Sequence, residues 1–271
     1  MYSGACTIVG RKGGDKVIVW LVLVAAGYLT SLALKPVFKD QVSENYKGEH
    51  IPTGLGLAFV LPTVLVLVLN FTKVPSAPLY AVVILFFSIL GILDDNLGSD
   101  TRRGFRGHFG QRDPSTGILK AVGGFLISLA IAISLGGNPF LVVLHTVLIA
   151  LNANFINLLD RAPGRAGKVF AILSMVLVLF NSINISPLLW LLASTIGYLV
   201  NDLKATMMMG DTGSNPLGAA LGLGMVLIFP LIVKVLIVLL LIVLNFLSEK
   251  ISFSKVIESN RFLKFMDQLG R

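Results

Sequence analysis

Charged residues are scarce in this sequence. Only 13% of its 271 residues are Asp, Glu, Lys or Arg, whereas 55% are hydrophobic, and the mean hydropathy is +0.86. Soluble domains carry about 25% charged residues, so the composition excludes a soluble globular enzyme and a disordered chain. Cysteine is nearly absent too. Cys6 is the single one, which excludes a scaffold built on disulfides within the chain.

The hydrophobic residues form continuous blocks, and several reach the roughly 20 residues that a helix needs to cross a bilayer. Strands of a membrane barrel alternate apolar and polar residues, and these blocks do not. We therefore predict an all-α, polytopic membrane bundle, with about nine transmembrane helices in a single domain over residues 1–271. The blocks lie at 17–34, 52–70, 78–93, 117–136, 140–156, 169–185, 187–203, 215–229 and 231–248.

The basic residues indicate how the chain is oriented. The net charge is +8, and most of the 22 Lys and Arg residues lie in the longer connections between the blocks. The positive-inside rule places such connections in the cytoplasm. We expect a multi-pass plasma-membrane protein whose cytoplasmic active-site loops lie at about 35–53, 94–120, 154–168 and 201–215. The sequence contains no nucleic-acid-binding module, so the basic residues indicate anionic lipid or phosphorylated substrates.

Acidic and amide side chains stand at the same predicted membrane face. Asp94 and Asp95 end the third block, the polar segment 154–160 ends the fifth, and Asp211 opens the eighth. Carboxylates at a membrane boundary are costly and usually serve an ion or a substrate. An adjacent pair of carboxylates favours a divalent cation, and oxygen ligands suit Mg2+. The alternative is a solvated pair of aspartates at a helix end.

Three further segments carry candidate substrate contacts. Gly210–Ser214 could hold a phosphate at a helix N-terminus, or Asp211, Thr212 or Ser214 could simply cap that helix. In the segment 154–160, Asn154, Asn157 and Asp160 are spaced by three residues, which suits a nucleotide or sugar. The alternative there is hydrogen bonding between helices. The segment 47–54 could bind a phosphate, or it could simply form the turn at which the chain enters the membrane.

Taken together, these motifs resemble a known family, the polyprenyl-phosphate N-acetylhexosamine-1-phosphate transferases of glycosyltransferase family 4. This family includes the phospho-N-acetylmuramoyl-pentapeptide transferases, and the chain resembles a short, divergent member. The motifs occur in the family's order: Pro52-Thr53-Gly54, Leu93-Asp94-Asp95, Leu119-Lys120, residues 154–160, and Gly210–Ser214 with Leu217-Gly218.

The resemblance implies a reaction. The phosphate of a polyprenyl phosphate, such as undecaprenyl phosphate, would attack the β-phosphorus of a UDP-N-acetylhexosamine and release UMP, for cell-envelope glycan synthesis. The implied cofactor is Mg2+, with Mn2+ as an alternative. The implied partners are the lipid, the UDP-sugar and the membrane, and a homodimer is an open alternative. The implied location is a bacterial plasma membrane.

The resemblance also implies roles for residues. Asp94, Asp95 and Asp211 would hold the metal, and together with Asp160 they would be the catalytic acids. The residues implied to bind substrate or phosphate are Lys47, Thr53, Lys120, Asn154, Asn157, Gly213 and Ser214.

The sequence departs from the family pattern at several positions. Gly98 stands where a lysine is common, Arg161 replaces a glycine, and Pro163 replaces a second acid. The histidine-rich loop that the family has near its C-terminus is absent from this sequence. These departures leave a second reading, a non-catalytic homologue that binds lipid phosphate or a partner enzyme. A third is an ion-coupled transporter, which the position of the acids at one membrane face disfavours.

Overall fold

The computed structural model describes residues 13–44, 48–97, 114–180 and 185–271. Within these ranges the chain is mainly helical, with two short strands, which confirms the all-α membrane-type bundle. The helices are α1 (Gly13–Leu34), α2 (Leu57–Leu69), α3 (Ala77–Leu97), α4 (Pro114–Ser134), α5 (Pro139–Leu159), α6 (Arg165–Val178), α7 (Ser186–Asp202), α8 (Gly210–Ile228), α9 (Leu231–Lys250), α10 (Phe253–Ser259) and α11 (Arg261–Gln268).

Each predicted hydrophobic block overlaps one of the helices in the described ranges, although α2 begins only at Leu57, within the block 52–70, and α6 already begins at Arg165, before the block 169–185. Among the described residues, four helices are long and apolar enough to cross a membrane: Val17–Leu34, Ala77–Asn96, Pro139–Leu159 and Leu231–Lys250. The number of nine spans stays a prediction. Helices α8 and α9 meet at Pro230, where the fixed φ and missing N–H of proline favour a helix boundary.

Helix α8 forms the centre of the bundle. Its residues from Asp211 to Val226 are all buried, and it packs along α3 and α5. Small residues make this close contact possible. A Cβ added at Gly218 would lie 2.2 Å from the carbonyl oxygen of Asn152 on α5. The start of α8, where Asp211 lies, is therefore surrounded by other helices.

The peripheral helices expose apolar side chains. On α9 only Val238 and Leu241 are buried, while residues such as Ile232 and Leu236 are 71% and 61% exposed. Apolar exposure of this extent is unfavourable in water. The outer surface of the bundle is therefore suited to lipid, as the composition predicts.

A two-stranded hairpin precedes α2. Strands β1 (Val42–Glu44) and β2 (His50–Pro52) pair antiparallel, with Ser43 opposite Ile51. The carbonyl oxygen of Pro52 accepts the N–H of Met208 at 2.8 Å, and Leu55 donates its N–H to the carbonyl oxygen of Met208 at 3.1 Å. These bonds fix the hairpin to the connection between α7 and α8 and bring Thr53 close to the start of α8.

Candidate functional site

The start of α8 is held by a carboxylate from another helix. Asp95, in the last turn of α3, accepts the N–H of Asp211 at 3.1 Å, the N–H of Thr212 at 3.0 Å and the hydroxyl of Thr212 at 2.7 Å. The first N–H groups of a helix lack partners within the helix and carry partial positive charge. Asp95 thus supplies the cap that sequence reasoning assigned to residues of α8 itself.

Two glycines allow α3 and α8 to approach this closely. Gly210 has φ +64°, and a Cβ there would lie 2.6 Å from a carboxylate oxygen of Asp95. A Cβ at Gly91 would lie 2.3 Å from the carbonyl oxygen of Asp211. A side chain at Gly91 would overlap the backbone of α8, and one at Gly210 would displace the carboxylate of Asp95, so both glycines favour the contact between Asp95 and α8.

Two acids converge on one ammonium group. Lys120 of α4 lies between Asp94 and Asp211, with its Nζ 3.6 Å from Oδ2 of Asp94 and in direct contact with Oδ2 of Asp211. Both aspartates are buried, at 7% exposure each. A buried charge is costly unless it is paired, so the lysine offsets the repulsion between the two carboxylates. Lys120 is the residue that connects α4 to the acidic centre.

Asn157 of α5 completes this network. In the orientation that satisfies all its neighbours, its amide donates to Oδ1 of Asp211 and to Oγ of Ser214, both at 3.0 Å. Its carbonyl oxygen accepts from Nζ of Lys120 at 2.6 Å. The Ser214 hydroxyl also donates to the carbonyl oxygen of Gly210 at 3.0 Å. Asn157 therefore orients both the acid and the lysine.

Asp160 lies just after α5 and outside the apolar span. Burial raises the pKa of its carboxyl well above the ordinary value, and the negative charges of Asp202, Asp211 and Asp95 raise it further, while the positive charge of Arg161 lowers it. Asp160 is thus an acid with an elevated proton affinity.

A cavity of about 860 Å³ opens between α3, α4, α5 and the start of α8. One side is polar and the other apolar. The polar side is lined by Thr53, Asp95, Lys120, Asn154, Asn157, Asp160 and Asp211. The apolar side is lined by Phe87, Leu90, Ala121, Phe125 and Leu151. Most of the site residues that the sequence indicates therefore meet at one cavity.

The remaining candidates are placed elsewhere. Gly213 packs against α2, where a Cβ would lie 2.9 Å from Cα of Gly56. Asn154 reaches the cavity, but its amide donates to Oδ1 of Asn245 on α9 at 2.6 Å, which is a contact between helices. Lys47 and Gly98 lie outside the described residues. Most site residues predicted on loops stand in the terminal turns of helices.

The donor atoms bear on the predicted metal. Among the described residues, no group of three or more His, Cys, Asp or Glu side chains is arranged to hold a metal ion. Asp94 and Asp211 nevertheless face one cation, the ammonium of Lys120. Mg2+ typically takes one or two carboxylates, with water and substrate phosphate completing its shell, so this pair fits Mg2+. The oxygens of Asp95 are already engaged by α8.

Among the residues that sequence reasoning missed are Arg161 and Asn215 of the cavity wall, and Asp202 behind it. Arg161 and Asn215 line the cavity, and Asn215 donates to the carbonyl oxygen of Asp211 at 2.9 Å. Buried Asp202 accepts the N–H of Gly164 at 2.8 Å and so holds the connection that follows Asp160. The position of Asn215, four residues after Asp211 on one helix face, was a usable signal.

Comparisons with known proteins identify the family. The family model described as glycosyl transferase family 4 matches residues 77–229, more than half of the chain. The chain belongs to glycosyl transferase family 4. The matched residues run from α3 to α8 and include every helix that lines the cavity.

Two curated relatives carry the name phospho-N-acetylmuramoyl-pentapeptide-transferase. The protein of Kosmotoga olearia is 28% identical in an alignment of 198 positions, which covers 65% of this chain and 60% of the relative. The protein of Petrotoga mobilis is 26% identical in an alignment of 246 positions, which covers 77% of this chain and 74% of the relative. The family 4 chain thus spans less than two thirds of the first relative and about three quarters of the second.

Proposed function

We propose that this family 4 protein is a membrane phosphoglycosyl transferase. It moves a sugar 1-phosphate from a UDP-N-acetylhexosamine-type donor to a polyprenyl phosphate and releases UMP, for cell-envelope glycan synthesis. One observation carries the proposal: the ammonium of Lys120 is held between Asp94 and Asp211 on the polar side of a cavity whose other side is apolar.

The two sides of the cavity suit a lipid phosphate. A polyprenyl phosphate joins a long apolar chain to a charged head, and such a ligand needs apolar and polar contacts side by side. Phe87 and Leu90 of α3 and Phe125 of α4 supply the apolar contacts. Phe125 is 47% exposed, which supports a cavity whose apolar side is open toward the lipid. We assign the prenyl chain to this side.

The polar side addresses the main obstacle of the reaction, which is that two anions must meet. An oxygen of the acceptor phosphate forms a bond to the β-phosphorus of the donor. The bond from that phosphorus to its bridging oxygen breaks, and UMP leaves with the electron pair. Lys120 offsets the negative charge that builds up between the two phosphates, a form of stabilisation typical of phosphoryl transfer.

Asp94 and Asp211 would hold Mg2+, which when bound supplies positive charge to the phosphate oxygens. Asp95 acts on the same centre indirectly, because its hydrogen bond fixes the backbone of Asp211. Asn157 fixes the positions of Lys120 and Asp211 relative to each other, because it accepts a hydrogen bond from the first and donates one to the second. We assign Asp160 to the donor side, where its carboxyl contacts the nucleotide or sugar.

We place this cavity on the cytoplasmic side of the membrane. The connections that flank it carry basic residues, among them Arg161 and Lys204, and Lys168 lies in the first turn of α6. Such an excess of positive charge is retained in the cytoplasm. The donor would therefore enter from the cytoplasm and the lipid from the inner leaflet.

The direct test is UMP release by the purified protein with undecaprenyl phosphate, Mg2+ and a panel of UDP-N-acetyl sugars. We expect release that requires Mg2+ and falls at least 100-fold in Asp211→Asn. Glu258→Gln is the matched control, because Glu258 is exposed in α10, and it should retain wild-type release. If folded protein that still binds the lipid released no UMP with any sugar of the panel, the result would instead favour a non-catalytic homologue.

A further inference from the structure

The C-terminal segment folds back onto the bundle. The apolar helix α9 ends at Lys250, and α11 begins at Arg261, eleven residues later. Between them, Phe253 of α10 packs against the hydrophobic core. A segment this short, tied to the core part-way along, keeps α11 close to the membrane boundary at which α9 ends.

The polar side of α11 is anchored to the start of α6. Nε and Nη2 of Arg165 donate to the two carboxylate oxygens of Asp267 at 2.8 and 3.0 Å. Nζ of Lys168 donates to the carbonyl oxygens of Met266 at 3.0 Å and Leu269 at 3.1 Å, at the C-terminal end of α11. A cation at a helix C-terminus is stabilising. These bonds fix which side of α11 faces the bundle.

The apolar side of α11 points the other way. Phe262, Phe265 and Leu269 follow the spacing of three and four residues that puts side chains on one helix face. They are 68%, 61% and 51% exposed. At 3.6 residues per turn they lie about 140° to 200° around the axis from Asp267, which faces the bundle. Three large apolar side chains, each more than half exposed, therefore form a continuous face that is turned away from the bundle.

Basic side chains border this apolar face. Arg261 and Lys264 are exposed on α11, and Lys255 is exposed on α10. The acid of α11, Asp267, is neutralised by its ion pair with Arg165. The exposed rim of the helix is therefore positive, which complements an anionic surface.

The neighbouring helix places α11 beside lipid. Arg165 opens α6, and the outer face of α6 exposes Ile172, Met175 and Val176 at 48%, 55% and 44%. Such a face belongs in the hydrocarbon region. The anchor of α11 is thus the polar end of a lipid-facing helix, at the depth where headgroups lie.

We infer that α11 is an interfacial helix that binds anionic phospholipid. Phe262, Phe265 and Leu269 insert between the headgroups into the edge of the acyl chains, and Arg261 and Lys264 pair with headgroup phosphates. Helices with an apolar face and a basic rim bind membranes in this way, and juxtamembrane basic residues add attraction to anionic lipid. This surface is separate from the cavity. The inference therefore does not depend on which reaction the cavity performs.

The test uses the full chain in nanodiscs of phosphatidylcholine, with and without 30% phosphatidylglycerol. A fluorophore whose emission depends on polarity is attached to the cysteine of Phe265→Cys, in a Cys6→Ser background. The comparison is the same fluorophore at Gln268→Cys, which turns toward the polar side of the helix. We expect the emission maximum of the probe at 265 to lie at least 10 nm to the blue of that of the probe at 268. Lipid that carries a nitroxide near the headgroup should quench the probe at 265. The shift should be larger with phosphatidylglycerol, and Arg261→Gln/Lys264→Gln should remove that difference.

Several outcomes would overturn the inference. Water-like emission at 265 in both kinds of nanodisc would show that the face stays in solvent. A blue shift without quenching by the labelled lipid, present only when a disc holds two copies of the chain, would show that a second copy covers the face. An equal shift in both lipid compositions would remove the anionic lipid from the proposal.

Discussion

The carboxylate of Asp95 accepts the backbone N–H of Asp211 at 3.1 Å, so one acid of the candidate site holds the other in place. The two residues lie 116 positions apart in the sequence. Asp95 also accepts from the N–H and hydroxyl of Thr212. The adjacent Asp94 has a different partner, the ammonium of Lys120. The aspartate pair is thus divided between supporting a helix and facing the charged centre.

Asp95→Ala should destabilise the protein because it removes the cap of α8. Loss of a helix cap costs about 1–2 kcal/mol, so we expect a lower midpoint of thermal unfolding in detergent. Asp40→Ala changes an exposed acid and should leave the midpoint unchanged. If Asp95→Ala unfolds at the wild-type temperature while UMP release is abolished, Asp95 is a direct ligand of metal or substrate rather than a cap.

The contact between α3 and α8 also predicts an unequal cost for two alanine substitutions. Gly210 and Gly136 both have positive φ, +64° and +73°, and a Cβ in that conformation costs about 1–2 kcal/mol. At Gly136 an added Cβ meets nothing within 4 Å, whereas at Gly210 it meets Asp95 at 2.6 Å. Gly210→Ala should therefore lower the unfolding midpoint clearly more than Gly136→Ala. Equal effects would mean that Asp95 moves aside without cost.

Much of the architecture could be predicted from the sequence, because blocks of apolar residues must form helices wherever lipid surrounds them. The grouping of polar residues at one membrane face was also predictable, since each acid stands at the end of a block. The structure indeed brings Lys120, Asp211 and Asn157 into hydrogen-bonding contact. The chemical roles of these residues stay predictions.

Other features depended on helix packing and could not be predicted. Asn154 and Asn157 are three residues apart, and their side chains separate by about 60° around the helix. That angle is enough for Asn154 to meet α9 while Asn157 meets α8. The partner of Asp95 was equally hidden, because nothing in the motif distinguishes a carboxylate that binds a cation from one that caps a distant helix.

Lys120→Met tests whether Asp94 and Asp211 can hold Mg2+. Removing the ammonium leaves two buried carboxylates facing each other, so a divalent cation should bind between them more readily and stabilise the fold. We expect Mg2+ to raise the unfolding midpoint of this variant more than that of the wild type. UMP release should fall at least 100-fold, since stabilising groups of this kind contribute about that much.

The matched control for Lys120→Met is Lys255→Met, because Lys255 is an exposed lysine of α10. Mg2+ should change its unfolding midpoint as it does that of the wild type. A Mg2+ response of Lys120→Met no larger than that of the control would contradict the assignment of Asp94 and Asp211 as cation ligands.

Asp160→Asn should stabilise the protein at high pH although it removes a residue assigned to the donor. Burial, together with the charges of Asp202, Asp211 and Asp95, raises the folded pKa of Asp160 above its ordinary value of 3.8. At a pH between the unfolded and the folded pKa of Asp160, its carboxyl is deprotonated in the unfolded chain but still protonated in the folded protein. The free energy of unfolding therefore falls as the pH rises through the folded pKa. The amide stays neutral and avoids that loss. We therefore expect a higher unfolding midpoint than wild type at pH 8 and an equal one near pH 4. Asp40→Asn should match wild type at both pH values, and a variant less stable than wild type at pH 8 would show that the Asp160 carboxylate is stabilised by the fold.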